Sequence, residues 1–295
     1  MTSAQVRNFL QSVVLITGMG LIVAACTGLL GGKHAIPWAL LALGLLLFVS
    51  PRIAPEFIMR KRGAWHAEHW PVVSVIDELA KRAAIPGQVQ LYVIPSAVVN
   101  AFATGGRTQS VLAVTNELLH RLDDRELVGV LAHEMAHIGH NDLWIMNLAD
   151  AMNRLADIMA ILGLLLFLFS LPFALLGGYA IPWLVYLLLC LAPMALRVLQ
   201  LGLSRAREYD ADREGAQLSG DPEGLVRALQ KMEAQGRIRE SIFSTGRSLP
   251  GPSLLLTHPP IERRIRRLKE LGQLTRPPLR SPDVQYLVPR VRAFR

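Results

Sequence analysis

Three runs of this chain carry no charged side chain: Phe9 to Gly32, Ala35 to Pro51 and Ile158 to Leu196. A helix rises ~1.5 Å per residue and the hydrocarbon core of a bilayer is ~30 Å thick, so ~20 apolar residues suffice to cross it. The third run is long enough for two such helices. Its centre reads LLGGYAIPW, in which Gly177-Gly178 permits a tight reversal, Pro182 suits a helix start, and Tyr179 and Trp183 suit a membrane interface. The expectation is about four transmembrane helices in two hairpins, residues 1–51 and 158–196. A chain of 295 residues that is 52% hydrophobic, with mean hydropathy +0.34, fits that reading better than a soluble globule.

The basic residues orient the hairpins. Arg7 precedes the first span; Arg52, Arg60, Lys61 and Arg62 follow the second; Arg154 precedes the third; Arg197, Arg205 and Arg207 follow the fourth. Lys33 alone lies in a short connection between spans. By the positive-inside rule, both termini and the polar parts face the cytoplasm. The net charge of +8 then follows from attraction to anionic headgroups, and no nucleic-acid partner is needed to explain it.

Val23-Ala24-Ala25-Cys26 also resembles the cleavage box of a lipoprotein signal peptide, but the apolar run continues past Cys26 and a second run follows almost at once. Both cysteines lie within apolar spans. They imply no disulfide framework and read as small packing residues.

The polar remainder is mixed, so the fold class is α+β, mostly helical. PVVSVIDELAKRAAIPG, from Pro71, reads as a helix ended by Pro86-Gly87, and VQLYVIPS and SVLAVTN read as strands. AVVNAFATGGRT joins them, with Gly105-Gly106 marking a turn. Thr115-Asn116-Glu117 offers a cap to a helix that leads through DDRELVGV into VLAHEMAHIGHND, residues 130–142.

In His133-Glu134-Met135-Ala136-His137, residues four apart on a helix lie about 40° apart on one face, so two imidazoles reach one metal ion. Glu134 projects from a neighbouring face, where it touches a metal-bound water without ligating the ion. The bland alternative is a pair of solvated helix histidines. The flanking VGVLA and MAHI are small or apolar, however, and burying unpaired polar groups costs roughly 1–3 kcal/mol each.

A hydrolytic site needs a third protein ligand. His140 lies on nearly the same face but two turns on, ~10 Å along the axis. It reads instead as a helix-end residue or a partner of a ligand. Gly139 and Asn141 are the expected breakers, with Asp142 starting the next helix. After the last apolar run, SRAREYDADREGA places Glu208 and Asp212 four apart on one helix face, with Ala211 and Gly215 leaving room for close packing. Alone, this reads as a charged solvated helix; beside H-E-x-x-H, Glu208 reads as a ligand and Asp212 as an acceptor orienting a ligand histidine through its other ring nitrogen.

H-E-M-A-H, E-Y-D-A-D, N-A-F-A-T-G from Asn100 to Gly105 and T-H-P-P from Thr257 to Pro260 together resemble the HtpX-type membrane zinc peptidases, gluzincins related to the CAAX prenyl endopeptidases. The resemblance runs from about Asn100 to Arg264. It implies a zinc-dependent, multi-pass endopeptidase of the cytoplasmic (inner) membrane acting on misfolded membrane or unfolded polypeptides, with one Zn2+ held by His133, His137 and Glu208 and with Glu134 as base. It further implies substrate contacts at Asn100, Ala101 and Phe102, an oxyanion contact at His258, and a substrate or structural role for Arg264. A prenyl-protein endopeptidase and a noncatalytic zinc-binding membrane scaffold are the alternative readings.

The resulting organisation is a hairpin over 1–51, a first cytoplasmic catalytic part over 52–157, a hairpin over 158–196, a second catalytic part over 197–273 and a basic tail over 274–295. The Gly-, Ser-, Pro- and Arg-rich segment 236–253 reads as a mobile loop. The tail suits anionic lipid or a membrane partner protein.

Overall fold

A computed structural model describes residues 3–31, 33–49, 59–106, 108–176, 182–243 and 260–271. The expected turn at Gly177-Gly178, residues 244–253 of the expected loop, His258 and the basic tail lie outside the described residues, while residues 236–243 of that loop are helical, continuing the helix that starts at Pro222. The chain forms two compact units, Met1–Arg52 with Trp144–Ala206, and Ile53–Leu143 with Arg207–Arg295.

The first unit is helical. It holds α1 (Ser3–Gly31), α2 (Ile36–Val49), most of α6 (Asp142–Leu175) and the first part of α7 (Trp183–Ser219). Met19, Val23 and Cys26 of α1 pack with Ala149, Met152, Ala156 and Met159 of α6 and with Leu189, Leu196 and Leu203 of α7. Two described helices are long and apolar enough to cross a membrane, Asp142–Pro172 and Trp183–Ser219, and only 22% of the most apolar window of each is buried. Their outward faces present Ile161, Leu164, Leu168, Phe169, Leu184 and Leu188, the reverse of a soluble core helix. The apolar stretch of α1, Val13–Leu29, is shorter. Polar pairs join α6 to α7 beside these faces: Arg197 with Asp157, and Gln200 with both Asn153 and Asp150.

The second unit is built on a four-stranded sheet of β1 (Trp65–His66), β2 (Gln88–Ile94), β3 (Ala101–Gly105) and β4 (Gln109–Thr115), in the order β1-β2-β4-β3. β2 and β4 run parallel, with Leu91 opposite Leu112, while β3 pairs antiparallel with β4, Ala103 opposite Leu112. The parallel pairing places β3 at an edge although it lies between β2 and β4 in the chain. Gly105, at φ +102°, takes the backbone shape that turns β3 back toward β4.

Around the sheet lie α3 (Val72–Arg82), α4 (Asn116–Arg121), α5 (Asp124–Gly139), the end of α7, α8 (Pro222–Phe243) and α9 (Ile261–Lys269). α3 buries Val72, Val75, Ile76, Leu79 and Ala80, the stripe a 3.6-residue period lays on one face. It stops at Arg82, short of Pro86. The single helix expected from Thr115 onward is two helices: Thr115 caps α4, and Asp123 opens α5 with a capping box, its carboxylate accepting from the Glu126 N–H while Glu126 accepts from the Asp123 N–H. A second capping motif two residues past Arg121 outcompetes continuation of the first helix. α5 is buried almost all round, lying against β3, α3 and α8.

α5 ends at Gly139, where the sequence offered breakers. The turn is made by Asn141, at φ +58°, a conformation asparagine tolerates and β-branched residues do not. α6 begins at the next residue, Asp142.

Candidate metal centre

α5 is the carrier of the site. His133 and Glu134 are buried on it, and His137 stands one turn on, its ring edge-to-face with that of His133 at a centroid separation of 4.8 Å. The end of α7 faces this turn. Gly215 rests on the backbone of His133 so closely that a Cβ there would lie 2.8 Å from the His133 Cα. Without a side chain at 215, α7 comes near enough for Glu208, seven residues earlier on the same face, to reach both rings.

Glu208 Oε2 lies 3.4 Å from His133 Nε2, and Glu208 Oε1 lies 3.4 Å from His137 Nε2. One donor atom from each of the three residues falls within 4.8 Å of the others. Ligands bound at ~2.0–2.1 Å to a tetrahedral zinc ion are separated from each other by ~3.3–3.4 Å, so the donor spacing fits such an ion.

Each imidazole turns its other nitrogen to a carboxylate. His133 Nδ1 is 3.1 Å from Asp212 Oδ1, and His137 Nδ1 is 3.0 Å from Asp142 Oδ2. Each carboxylate meets an arginine: Arg264 donates from Nε and Nη2 to the two oxygens of Asp212 at 2.8 and 2.6 Å, and Arg207 Nη1 lies 3.1 Å from Asp142 Oδ1. Arg264 Nη1 also approaches Glu208 Oε2 at 3.4 Å. Burial disfavours the charged Arg264, but Asp212 and Glu208 hold its pKa above the ordinary guanidinium value.

Burial is also the largest influence on the two imidazoles and opposes their protonation. Nearby carboxylates offset it, Asp212 and Glu208 for His133 and Asp142 and Glu208 for His137. Both rings are raised, His137 well above the usual imidazole range. Charge counting gives the reason. Glu134, Asp142, Glu208 and Asp212 are formally four anions against the two guanidinium groups of Arg207 and Arg264, a deficit of two that one divalent cation would remove. The donor set fits the metal on charge as well as on spacing.

Glu134 lies to one side of the three donors. Its Oε2 accepts a hydrogen bond of 3.1 Å from the backbone N–H of Ala103 in β3. The Thr115 N–H donates to the Asn100 carbonyl, the Asn100 N–H donates to the Thr115 hydroxyl, and the Gly106 N–H donates to the Gln109 carbonyl. By antiparallel alternation Phe102 and Thr104 therefore bond to β4, while Ala101, Ala103 and Gly105 turn their N–H and C=O groups outward. The Ala101 side chain is fully buried, and Phe102 is half-buried beneath the Arg62 guanidinium, 5.3 Å from its ring centroid. Asn100 Oδ1 is buried without a hydrogen-bond partner among the described residues.

The structure thus brings together His133, Glu134, His137, Glu208, Asp212 and Arg264 and sets Asn100, Ala101 and Phe102 along the adjoining strand. His258 lies outside the described residues. Arg264 is buried against Asp212. His140 caps the end of α5. The sequence reading passed over the parts played by Asp142 and Arg207 in this cluster. Asp142 was visible only as a helix starter; its signal was an asparagine suited to a left-handed turn placed just before it.

Two histidines on one helix and a glutamate from a second, with another glutamate beside the pair, define the metal centre of a metallopeptidase. The Peptidase family M48 model matches residues 67–272, and the chain belongs to that family. A Protease HtpX homolog of Syntrophotalea carbinolica is 32% identical over 286 residues, covering 90% of this chain and 100% of its own length. Another from Acidiphilium cryptum is 35% identical, covering 86% of this chain and 96% of its own, and one from Kineococcus radiotolerans is 38% identical, covering 72% and 77%. Among solved structures, the fold is like that in the crystal structure of S. mikatae Ste24p, with a TM-score of 0.56 and 20% identity. The match covers 91% of this chain and 66% of that one.

Proposed function

We propose that this metallopeptidase is a zinc-dependent endopeptidase of the cytoplasmic membrane that hydrolyses peptide bonds in misfolded membrane proteins and unfolded chains. The observation that carries the proposal is the spacing of the three donors, His133, His137 and Glu208, beside a carboxylate and an open strand edge. One zinc ion per chain, held by those three side chains, would lower the pKa of a bound water towards ~7 and polarise a peptide carbonyl.

The remaining chemistry belongs to the chain. Glu134 accepts the proton of the attacking water on a carboxylate oxygen and passes it to the departing amine. An extended substrate adds to the outward groups of Ala101 and Gly105 and to the Ala103 carbonyl as a further strand, which lays its backbone beside Glu134, the acceptor of the Ala103 N–H. Backbone pairing of this kind does not read side chains and suits a protease of unfolded polypeptides. Asn100, at the start of the strand, offers an amide to the substrate backbone. His258 would supply a donor to the oxyanion. Four transmembrane helices in two hairpins, with the catalytic part and both termini in the cytoplasm, complete the proposal. It is supported by the two long outward-apolar helices and by the distribution of arginine and lysine.

Incubating the detergent-purified protein with casein, with and without a zinc chelator, tests the reading. Cleavage is expected to be chelator-sensitive and to be lost in Glu134→Gln while zinc stays bound. Undiminished cleavage by Glu134→Gln would overturn the mechanism. Absence of cleavage across many unfolded substrates would favour a noncatalytic scaffold.

A further inference from the structure

The centre contains a second carboxylate device that the reading of the sequence did not find. Asp142 is the first residue of α6 and is almost completely buried, with one oxygen 3.0 Å from His137 Nδ1 and the other 3.1 Å from Arg207 Nη1. Arg207 immediately precedes Glu208 on α7. Asp142 therefore touches both the ring that supplies one donor and the residue adjoining another donor. It directly follows Asn141, whose left-handed conformation separates the end of α5 from the start of α6. The arrangement repeats, from a different part of the chain, that of His133, Asp212 and Arg264.

We propose that Asp142 is a positioning residue of the metal centre: it fixes the His137 ring so that Nε2 faces the ion and, through Arg207, holds the Glu208 turn of α7 in register with it. The inference rests on the zinc reading above. A carboxylate that accepts from Nδ1–H selects the tautomer whose Nε2 lone pair is free for the metal, and loss of such a partner typically weakens metal binding by ~10–100-fold.

The competing role is that of a simple helix-start residue, for which serine and asparagine are equivalent replacements. The two roles separate by chemistry. The change Asp142→Asn keeps an acceptor at the right reach for Nδ1–H, whereas the serine of Asp142→Ser is too short. The test measures the zinc dissociation constant of the purified full-length protein by competition with a fluorescent chelator, for wild type, Asp142→Asn, Asp142→Ser and the double variant Asp142→Ser/Arg207→Gln. The double variant removes both charges, so no guanidinium is left buried without its carboxylate and the chain folds even where the single serine variant does not. Affinity is expected to fall ~10–100-fold in both serine variants and to recover to within several-fold of wild type in Asp142→Asn. Serine variants that bind zinc as tightly as wild type, or an asparagine variant as weak as they are, would overturn the proposal while leaving the metal centre intact. Wild-type protein that binds no zinc would overturn the metal reading itself, and this inference with it.

Discussion

Replacing Gly215 with alanine tests whether the metal centre depends on the closeness of two helices. In an exposed helix the change would stabilise by ~1 kcal/mol, because glycine is the poorer helix former. Here the new Cβ would meet the Cα of His133 at 2.8 Å, its N at 2.9 Å and the carbonyl carbon of Ala132 at 3.2 Å, all backbone atoms that cannot rotate away. Carbon atoms rest at ~3.5–4.0 Å, so α7 must retreat from α5 by ~0.6–1 Å. Overpacking of this size costs ~1–3 kcal/mol, and the propensity gain leaves a net loss of at most ~2 kcal/mol in the metal-free protein. The larger consequence falls on Glu208, two turns away on the same face. A retreat of that size stretches its 3.4 Å separations from both imidazoles toward ~4 Å, beyond the ligand spacing that bonds of ~2.0–2.1 Å allow. Zinc affinity should fall by tenfold or more, removing ~1.4 kcal/mol of metal-linked stabilisation at saturating zinc. Thermal unfolding of the detergent-purified variant in excess zinc and in excess chelator, together with chelator competition for zinc, measures both effects. A Gly215→Ala protein that is more stable than wild type in both conditions, with unchanged zinc affinity, would refute the argument that the approach of α7 to His133 sets the donor geometry.

Glu208→Ala should lose most of its zinc affinity while His140→Ala retains stoichiometric zinc, since Glu208 faces both rings and His140 caps the helix; metal analysis of the purified variants decides between them, and the reverse result would unseat the ligand assignment. Arg264→Leu should destabilise the protein by ~3–5 kcal/mol, because it strips a buried bidentate partner from Asp212, whereas the double variant Arg264→Leu/Asp212→Asn should recover part of that loss. Denaturant titration of both gives the comparison, and an equal loss in the double variant would show that the charge pair is not the cause. In intact cells, with the natural Cys26 and Cys190 replaced, single cysteines at Gln109 and Gln235 should be shielded from an impermeant thiol reagent and one at Gly178 should be labelled. Labelling at Gln109 would place the catalytic part outside the cytoplasm.

The properties that the sequence determined by itself are those that depend on neighbours in the chain. Length and hydropathy mark two helices, Asp142–Pro172 and Trp183–Ser219, as long and apolar enough to cross a membrane, because a helix satisfies its own backbone hydrogen bonds and needs only apolar side chains to enter lipid. The four-residue spacing of His133 and His137 places both on one face of any helix, whatever surrounds it, and the breakers around Asn141 mark the end of α5 in the same local way. The end of the preceding helix shows the limit of that reading. DDRELVGV is compatible with one continuous helix, and the break before Asp124 coincides with the capping box that Asp123 and Glu126 form.

Tertiary structure decided the rest. That β3 is an edge strand follows from the parallel pairing of β2 with β4, which no local pattern reveals. The third donor lies 71 positions after His137, from 137 to 208, and its distance from the rings depends on how closely Gly215 lets α7 approach His133; the pattern E-Y-D-A-D alone is as suited to a solvated charged surface. Arg264 illustrates the same division. The sequence offered a basic residue without a partner, and packing sets it against Asp212, where a buried carboxylate beside a histidine requires a counter-charge. Asp142 was legible as the start of a helix and nothing more, since its contacts with His137 and Arg207 exist only once the left-handed turn at Asn141 has closed and α7 has packed against α5.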